Sequence, residues 1–595
     1  MATYKVGGPF LGLNKTRDPG FLLPGESQDT LNVSLKNGLV EKRPGWSSVL
    51  DFNGDPILGG ADYLRVNTST GAVDVINLIK ASSNLYKIQE GTGEVLYQLM
   101  SGTGLMSVCI VNNKAYFCDG SVFKVTDATS SSAVYDAAIT RPDAPSVAAT
   151  VGSGPLRGDY DYKVTYYASG WGQESASSDA SGTVSPDGKG VTVTLPDASP
   201  DLRVTNRRIY RRNISSLESD WFFVADADNI QGTTSYTDTK PEADVNKARR
   251  APLSYDSTMP AFRYLAYQAD VLFAAGADKE PTRLYYSRPS EPWALDQYLE
   301  VGSAADTDPI TGLTAYQGQI VVWKERSIWI LSGNDDATFY LRKIIPGLGC
   351  KSGHSVVEMG NMLAFLSEDD FFVFDGTSVA SLGKTDSQSP VGPVIRARNY
   401  ARDRYCVGAY DAEEGILAWT FSTSSSAVND ATLVFFQDHA KSVGYPSWCL
   451  WTWGEDNMAW LGRLTDYSTR DRRMHLGTAG GVLGKIGGPS DAGASIQWYW
   501  HTGDFDGRQS GNIKEWGEIA LDFNVEPVST SVNVECFLDG STSPVTLGTH
   551  DLGTPTFRRR IRRSSRTISF RVGGSTAAPA AFNGLEMTYE RRKRT

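Results

Sequence analysis

The run Thr314-Ala315-Tyr316-Gln317-Gly318-Gln319-Ile320-Val321-Val322-Trp323-Lys324-Glu325-Arg326-Ser327-Ile328-Trp329-Ile330 reads as three short strands joined by two-residue turns. Gly, Asn and Asp tolerate the positive φ that tight hairpins need, so this spacing has a mechanism. The same wording recurs at 107–125, with turns at Asn112-Asn113 and Asp119-Gly120, and at 356–374, with turns at Gly360-Asn361 and Glu368-Asp369. Three-strand meanders repeated along a long chain are the pattern of propeller blades. No long heptad or amphipathic helical stretch competes with them, and Gly 59 and Pro 27 suit a chain of strands and turns. The predicted fold class is all-β: a multi-bladed β-propeller with an inserted fibronectin III-like β-sandwich and a C-terminal β-rich domain.

Working outward, residues 1–50 read as an N-terminal arm. Phe10-Leu11-Gly12-Leu13-Asn14, Pro24-Gly25-Glu26 and Lys42-Arg43-Pro44-Gly45-Trp46 are apolar residues punctuated by Gly and Pro. Such a segment either lies across a larger surface, with Phe10, Arg43, Pro44 and Trp46 as its contacts, or closes a first sheet as an edge strand. Residues 51–140 carry about two blades at roughly 40–50 residues each. Residues 141–250 change character: Tyr160, Tyr162, Val164 and Tyr166 alternate with polar neighbours, and some seven strands follow in the manner of a β-sandwich. Residues 251–490 resume the meander for about five blades, so a ring of about six to eight is expected. A propeller closes only when its ends meet, so the insertion must leave and re-enter at one blade edge. Residues 491–595 form a last β-domain, with Ile496, Trp498 and Trp500 on one face and Gln497, Tyr499 and His501 on the other.

Net charge is −11, unevenly spread. Residues 558–595 hold eleven Lys and Arg against Glu586 and Glu590, which leaves a strongly acidic body. Such a body argues against a surface that grips nucleic acid, but suits a pore through which DNA slides. The N-terminus lacks the apolar core of a secretion signal, and no apolar run approaches the roughly 18–20 residues needed to cross a bilayer. Cys109 and Cys118 fall in neighbouring strands, where a bridge is geometrically open. Buried free thiols weigh more, in a chain made in a reducing cytoplasm.

Few constellations carry chemistry. The five histidines (His354, His439, His475, His501 and His550) stand apart, with no partner at metal-ligand spacing, and neither a GxSxG elbow nor a P-loop occurs. Asp369-Asp370 and Glu413-Glu414 are carboxylate pairs of the kind glycoside hydrolysis uses. Both sit at predicted turns, where acids are ordinarily solvated, and the sialidase-like Ser-x-Asp-x-Gly-x-Thr-Trp box is absent. The expectation is no enzyme, no catalytic residue, no metal and no cofactor.

The sharpest electrostatic feature is Arg558, Arg559, Arg560, Arg562, Arg563 and Arg566. In an extended strand, Arg559 and Arg563 flank Ile561 on one face and Arg558, Arg560 and Arg562 share the other. Like charges stacked this way repel unless acids or phosphates lie opposite. The run reads as a docking strip for a subunit or acidic partner, as a charged edge strand kept from aggregating, or as a DNA contact.

The wording from Phe10 to Asn14, Pro24-Gly25-Glu26, Leu31-Asn32-Val33 and Gly38 through Lys42-Arg43-Pro44-Gly45 resembles the opening of bacteriophage tail nozzle proteins. These are the tail tubular protein B, or tail stabilisation, family of short-tailed phages. With the meander, the inserted sandwich and the Arg-rich terminus, the resemblance covers most of the chain. It implies a homohexameric ring below the tail adaptor, the head-to-tail connector, that extends the DNA ejection channel and docks fibres, spikes or a needle. It implies a virion protein assembled in the host cytoplasm, past which viral DNA slides without specific contact; it does not say which residues line the channel. Two rivals remain open. One is a carbohydrate-binding adhesin or glycosidase-type tail protein, suggested by 14 Trp and 27 Tyr. The other is a baseplate or distal hub of a long-tailed phage, in three copies rather than six.

Overall fold

The computed structural model describes residues 2–591 except 68–69, 90, 131–132, 254, 256–258, 304, 385–387, 455, 508–510 and 527–529. The terminal cations Arg592, Lys593 and Arg594 thus lie outside the described residues. Seven four-stranded antiparallel sheets occur among those described. They are blade 1 (57–97), blade 2 (107–136), blade 3 (264–300), blade 4 (310–346), blade 5 (357–381), blade 6 (407–451) and blade 7 (458–486 with Trp46–Asp51). The all-β propeller fold is as the meanders predicted, and each repeat gains a fourth strand at its outer edge.

Local chemistry explains the hairpins. Gln317 and Gly318 have φ of 49° and 76°, and Asn112 and Asn113 have 49° and 59°. Both turns therefore have the two consecutive positive φ values whose twist matches paired strands. Blade strands face a neighbouring blade on both sides. Ile416–Phe421 and Ala431–Phe436 are accordingly buried at every position, without the alternation of a one-sided sheet.

The ring is closed by a strand from the other end of the chain. Trp46–Asp51 pairs antiparallel with Val482–Ile486, placing Trp46 opposite Ile486 and Asp51 opposite Val482. The first strands of blades 7 and 1, Met458–Thr465 and Ile57–Val66, then pack together around the axis. The insertion between blades 2 and 3 is a sandwich of a three-stranded and a five-stranded sheet spanning Ser146–Ala149 to Asn246–Arg250. Its interior holds Tyr160, Tyr162, Val164, Ile209 and Val224.

The terminal unit is a sandwich of two six-stranded sheets to which both ends of the chain contribute. Residues 1–50, read as an arm, run through it as Ala2–Gly7, Gly12–Leu13, Glu26–Leu31, Val33–Ser34 and Val40–Lys42 before entering blade 7. Ala2–Gly7 pairs with the last strand, Ala581–Arg591, with Ala2 opposite Tyr589. One apolar cluster runs from this sandwich into blades 1, 6 and 7, through Phe10, Trp46, Trp451, Trp460, Trp498, Trp500 and Trp516. Cys109 and Cys118 are free: in register Cys109 faces Tyr116 and Cys118 faces Ser107, so their sulfurs are not opposed.

Candidate functional site: a basic rim strand and a carboxylate-lined cleft

The arginine run forms the strand Thr556–Ser565, which pairs on one side with Lys514–Phe523 and ends its sheet. Arg558, Arg559, Arg560, Arg562, Arg563 and Arg566 are all exposed. A bulge interrupts the run without moving Arg559 and Arg563 off the face they share with Ile561. Arg562 has φ of 49°, and the register slips so that Arg560 faces Glu518 while Arg563 faces Trp516. Arg559 stands opposite buried Ile519 and Arg563 opposite buried Trp516, so both sit on the inner side yet project past the rim into water. Among the described residues Arg558 alone of the six pairs with a carboxylate, Glu518 at 3.5 Å. A bulge and inward-set charges on an edge strand deter strand-to-strand addition. This surface is therefore suited to meeting a partner through its side chains rather than its backbone.

The segment Lys42–Trp46 is a clasp between three units. Arg43, with a fully buried side chain, donates to both carboxylate oxygens of Asp491 at 2.8 and 2.6 Å, to Asn32 Oδ1 at 3.0 Å and to the Thr452 carbonyl at 2.7 Å. Its guanidinium lies 4.2 Å from the centre of the Trp453 ring. Burial lowers its pKa, opposed by Asp491. Lys42 donates to the carbonyls of Pro489 and Thr576, and desolvation with Arg43 alongside lowers its pKa to about 8. Gly45 leaves no room for a side chain, since a Cβ there would sit 1.9 Å from the Ser490 carbonyl oxygen. Phe10 and Trp46 are buried in the shared core, and Pro44 offers its carbonyl to Arg43. All four residues read as arm contacts thus lie in the region where the chain packs on itself.

A cavity of about 610 Å³ opens between blades 4 and 5. Glu325, Glu368, Asp369, Asp370, Lys384 and Arg396 line it, with Ser389, Phe372 and Thr16. The reading of Asp369-Asp370 as a solvated pair is half corrected. Asp369 is exposed, but Asp370 retains only 2% of its surface. Asp370 accepts from the Ser381 hydroxyl through Oδ2, and its buried Oδ1 lies beside the Ser389 hydroxyl, which with the Phe371 backbone N–H favours the ionised form. Desolvation raises the Asp370 pKa, against smaller opposing hydrogen bonds. Nothing in the local sequence marks it: in a similar turn Glu413 is exposed and Glu414 half-buried, pairing with Arg473 and Lys36.

At the hub, a cavity of about 90 Å³ collects Gly104, Asp119, Arg263, His354, Arg404 and Tyr405 from the inner ends of several blades. A space of that size has room for only a few water molecules. His354 there and His501 in the terminal sandwich are both lowered to about 4, mainly by desolvation. Unfolded, each takes a proton below about pH 6.5; folded, each stays neutral down to about pH 4. Their contribution to stability is complete above the unfolded value and drains away as pH falls through that window. Thermal melts should show a lower Tm at pH 4.5 than at pH 7.5, and His354→Gln with His501→Gln should flatten the drop. A double variant with an unaltered pH slope would contradict this.

Neither the family models nor the curated sequences match this chain. Among solved structures it is similar to an exo-beta-1,3-galactanase from Phanerochaete chrysosporium, at 9% identity and TM-score 0.21, over 58% of this chain and 98% of that one. It is also similar to Hsv2 from Kluyveromyces lactis, at 10% identity and TM-score 0.21, over 67% and 97%. Likenesses this distant assign no activity. The expectation that the chain is not an enzyme is nevertheless withdrawn, because a glycosidase is among the solved structures it matches. The buried Asp370 also removes part of the reasoning behind that expectation.

Proposed function

We propose that this chain is a structural protein of a short-tailed bacteriophage virion. In this reading, six copies form the nozzle ring that extends the DNA ejection channel below the tail adaptor and carries fibres, spikes or a needle. The observation that carries it is the rim strand Thr556–Ser565, whose exposed arginines find almost no acid on their own chain beneath an otherwise acidic body. Charges left unpaired at an edge steer an acidic surface of a neighbouring copy or of the adaptor into register. In this reading DNA passes between copies rather than through a blade ring. Terminal strands from both ends knitted into one sandwich give the subunit the rigidity that such a sleeve needs.

Replacing Arg558, Arg560 and Arg562 together with glutamine tests the reading. These side chains are solvent-exposed, so stability should change by only about 0.5 kcal/mol per site. Native mass and electron images should show hexameric rings for the unaltered protein and loss of ring or particle incorporation for the variant. Normal incorporation of a folded variant would refute the docking role, and three copies in the assembled particle would favour a distal hub instead.

A further inference from the structure

We propose that the cleft between blades 4 and 5 binds an acidic saccharide, a sugar bearing a carboxylate. This does not rest on the nozzle reading. Three cations, Arg326, Lys384 and Arg396, line the cavity, and among the described residues none of them has a carboxylate partner. Its acids are partly committed: Lys351 holds both Glu325, at 3.0 Å, and Glu368, so one ammonium serves two carboxylates, with Asp369 exposed beside them. Deeper in, the buried Asp370 carboxylate and the adjacent Ser389 hydroxyl supply hydrogen-bonding atoms.

That combination discriminates among ligands. A basic peptide would meet the three free cations. Inorganic phosphate satisfies cations but at neutral pH brings few hydrogens for the Asp370 oxygen. A sugar acid brings both: a carboxylate for Lys384 and Arg396, and hydroxyls that donate to Asp370 and exchange hydrogen bonds with Ser389. Phe372, half-buried with Lys384 5.6 Å from its ring centre, offers an apolar face for the ring C–H groups. Thr16 ties the N-terminal segment to the same wall, its hydroxyl donating to the Ser389 carbonyl at 2.6 Å, so the pocket is braced before a ligand arrives. A volume of about 610 Å³ falls within the ordinary range of small-molecule sites.

Saturation-transfer NMR on the full chain tests this with N-acetylneuraminic acid and digalacturonic acid as probes, and with neutral galactose and inorganic phosphate as controls. The expected result is transfer to at least one sugar acid. Lys384→Ala with Arg396→Ala should bind it about tenfold more weakly at unchanged Tm, since charge-assisted hydrogen bonds are lost. Asp370→Asn, nearly isosteric, should weaken binding while the chain stays folded. The proposal is overturned if neither sugar acid binds, if galactose binds equally well, if phosphate binds as tightly and displaces the sugar, or if the folded double variant binds undiminished. Each of these failures leaves the ring reading untouched, because that reading is judged on assembly.

Discussion

Arg43→Ala is expected to destabilise the protein by about 3–5 kcal/mol, the range for removing one partner of a buried ion pair. The size follows from what is left behind. Asp491 keeps only 11% of its side chain exposed and would lose two charge-assisted hydrogen bonds at once. Asn32 Oδ1, which also accepts from the backbone N–H of Thr452, and the Thr452 carbonyl would each lose a donor. A void would open beside the Trp453 ring. Because the partners are 448 residues apart, the contact joins the N-terminal segment to the exit from blade 7. Chemical denaturation would read the loss as a lower midpoint. Pairing Arg43→Met with Asp491→Leu should recover much of it, as apolar replacement removes the orphaned charge together with its partner. A midpoint unchanged in Arg43→Ala would show that the clasp is not structural.

Deleting residues 1–51 is expected to leave a chain with no cooperative unfolding transition. Blade 7 would lose its outer strand Trp46–Asp51, and the terminal sandwich would lose five strands, including the one paired with Ala581–Arg591. Trp46, packed against Gly484, would leave a cavity worth about 3–5 kcal/mol on its own, as for other buried Trp truncations. A circular permutant separates loss of contacts from loss of order. Ala2 lies opposite Tyr589, so a short linker joins the ends, and the Asn53-Gly54 turn supplies new termini. That permutant keeps every pairing and should fold, with calorimetry showing one transition near the parent Tm. If the deletion folds as well as the parent, ring closure by this strand has been given too much weight.

Several features were legible in residues alone. Gln317-Gly318 and Asn112-Asn113 announced their hairpins because positive φ is a local preference that short polar residues and glycine express without help. The inward row Ile496, Trp498 and Trp500 was readable because strand side chains alternate with period two. The aromatic content, which a sugar-binding reading invoked, is mostly interior: no Trp is among the fully exposed large side chains described.

What these residues determined by themselves is therefore the run of hairpins and the faces of each strand, since both follow from interactions a few residues long. Tertiary structure alone decided the closure of blade 7 by Trp46–Asp51, the sharing of one sandwich by both ends of the chain, and the bulge at Arg562. It also decided that Asp370 is enclosed while Glu413, in a similar turn, stays in water. The difference is physical: a turn carries its own conformational preference, whereas burial depends on which distant strand or blade packs against it.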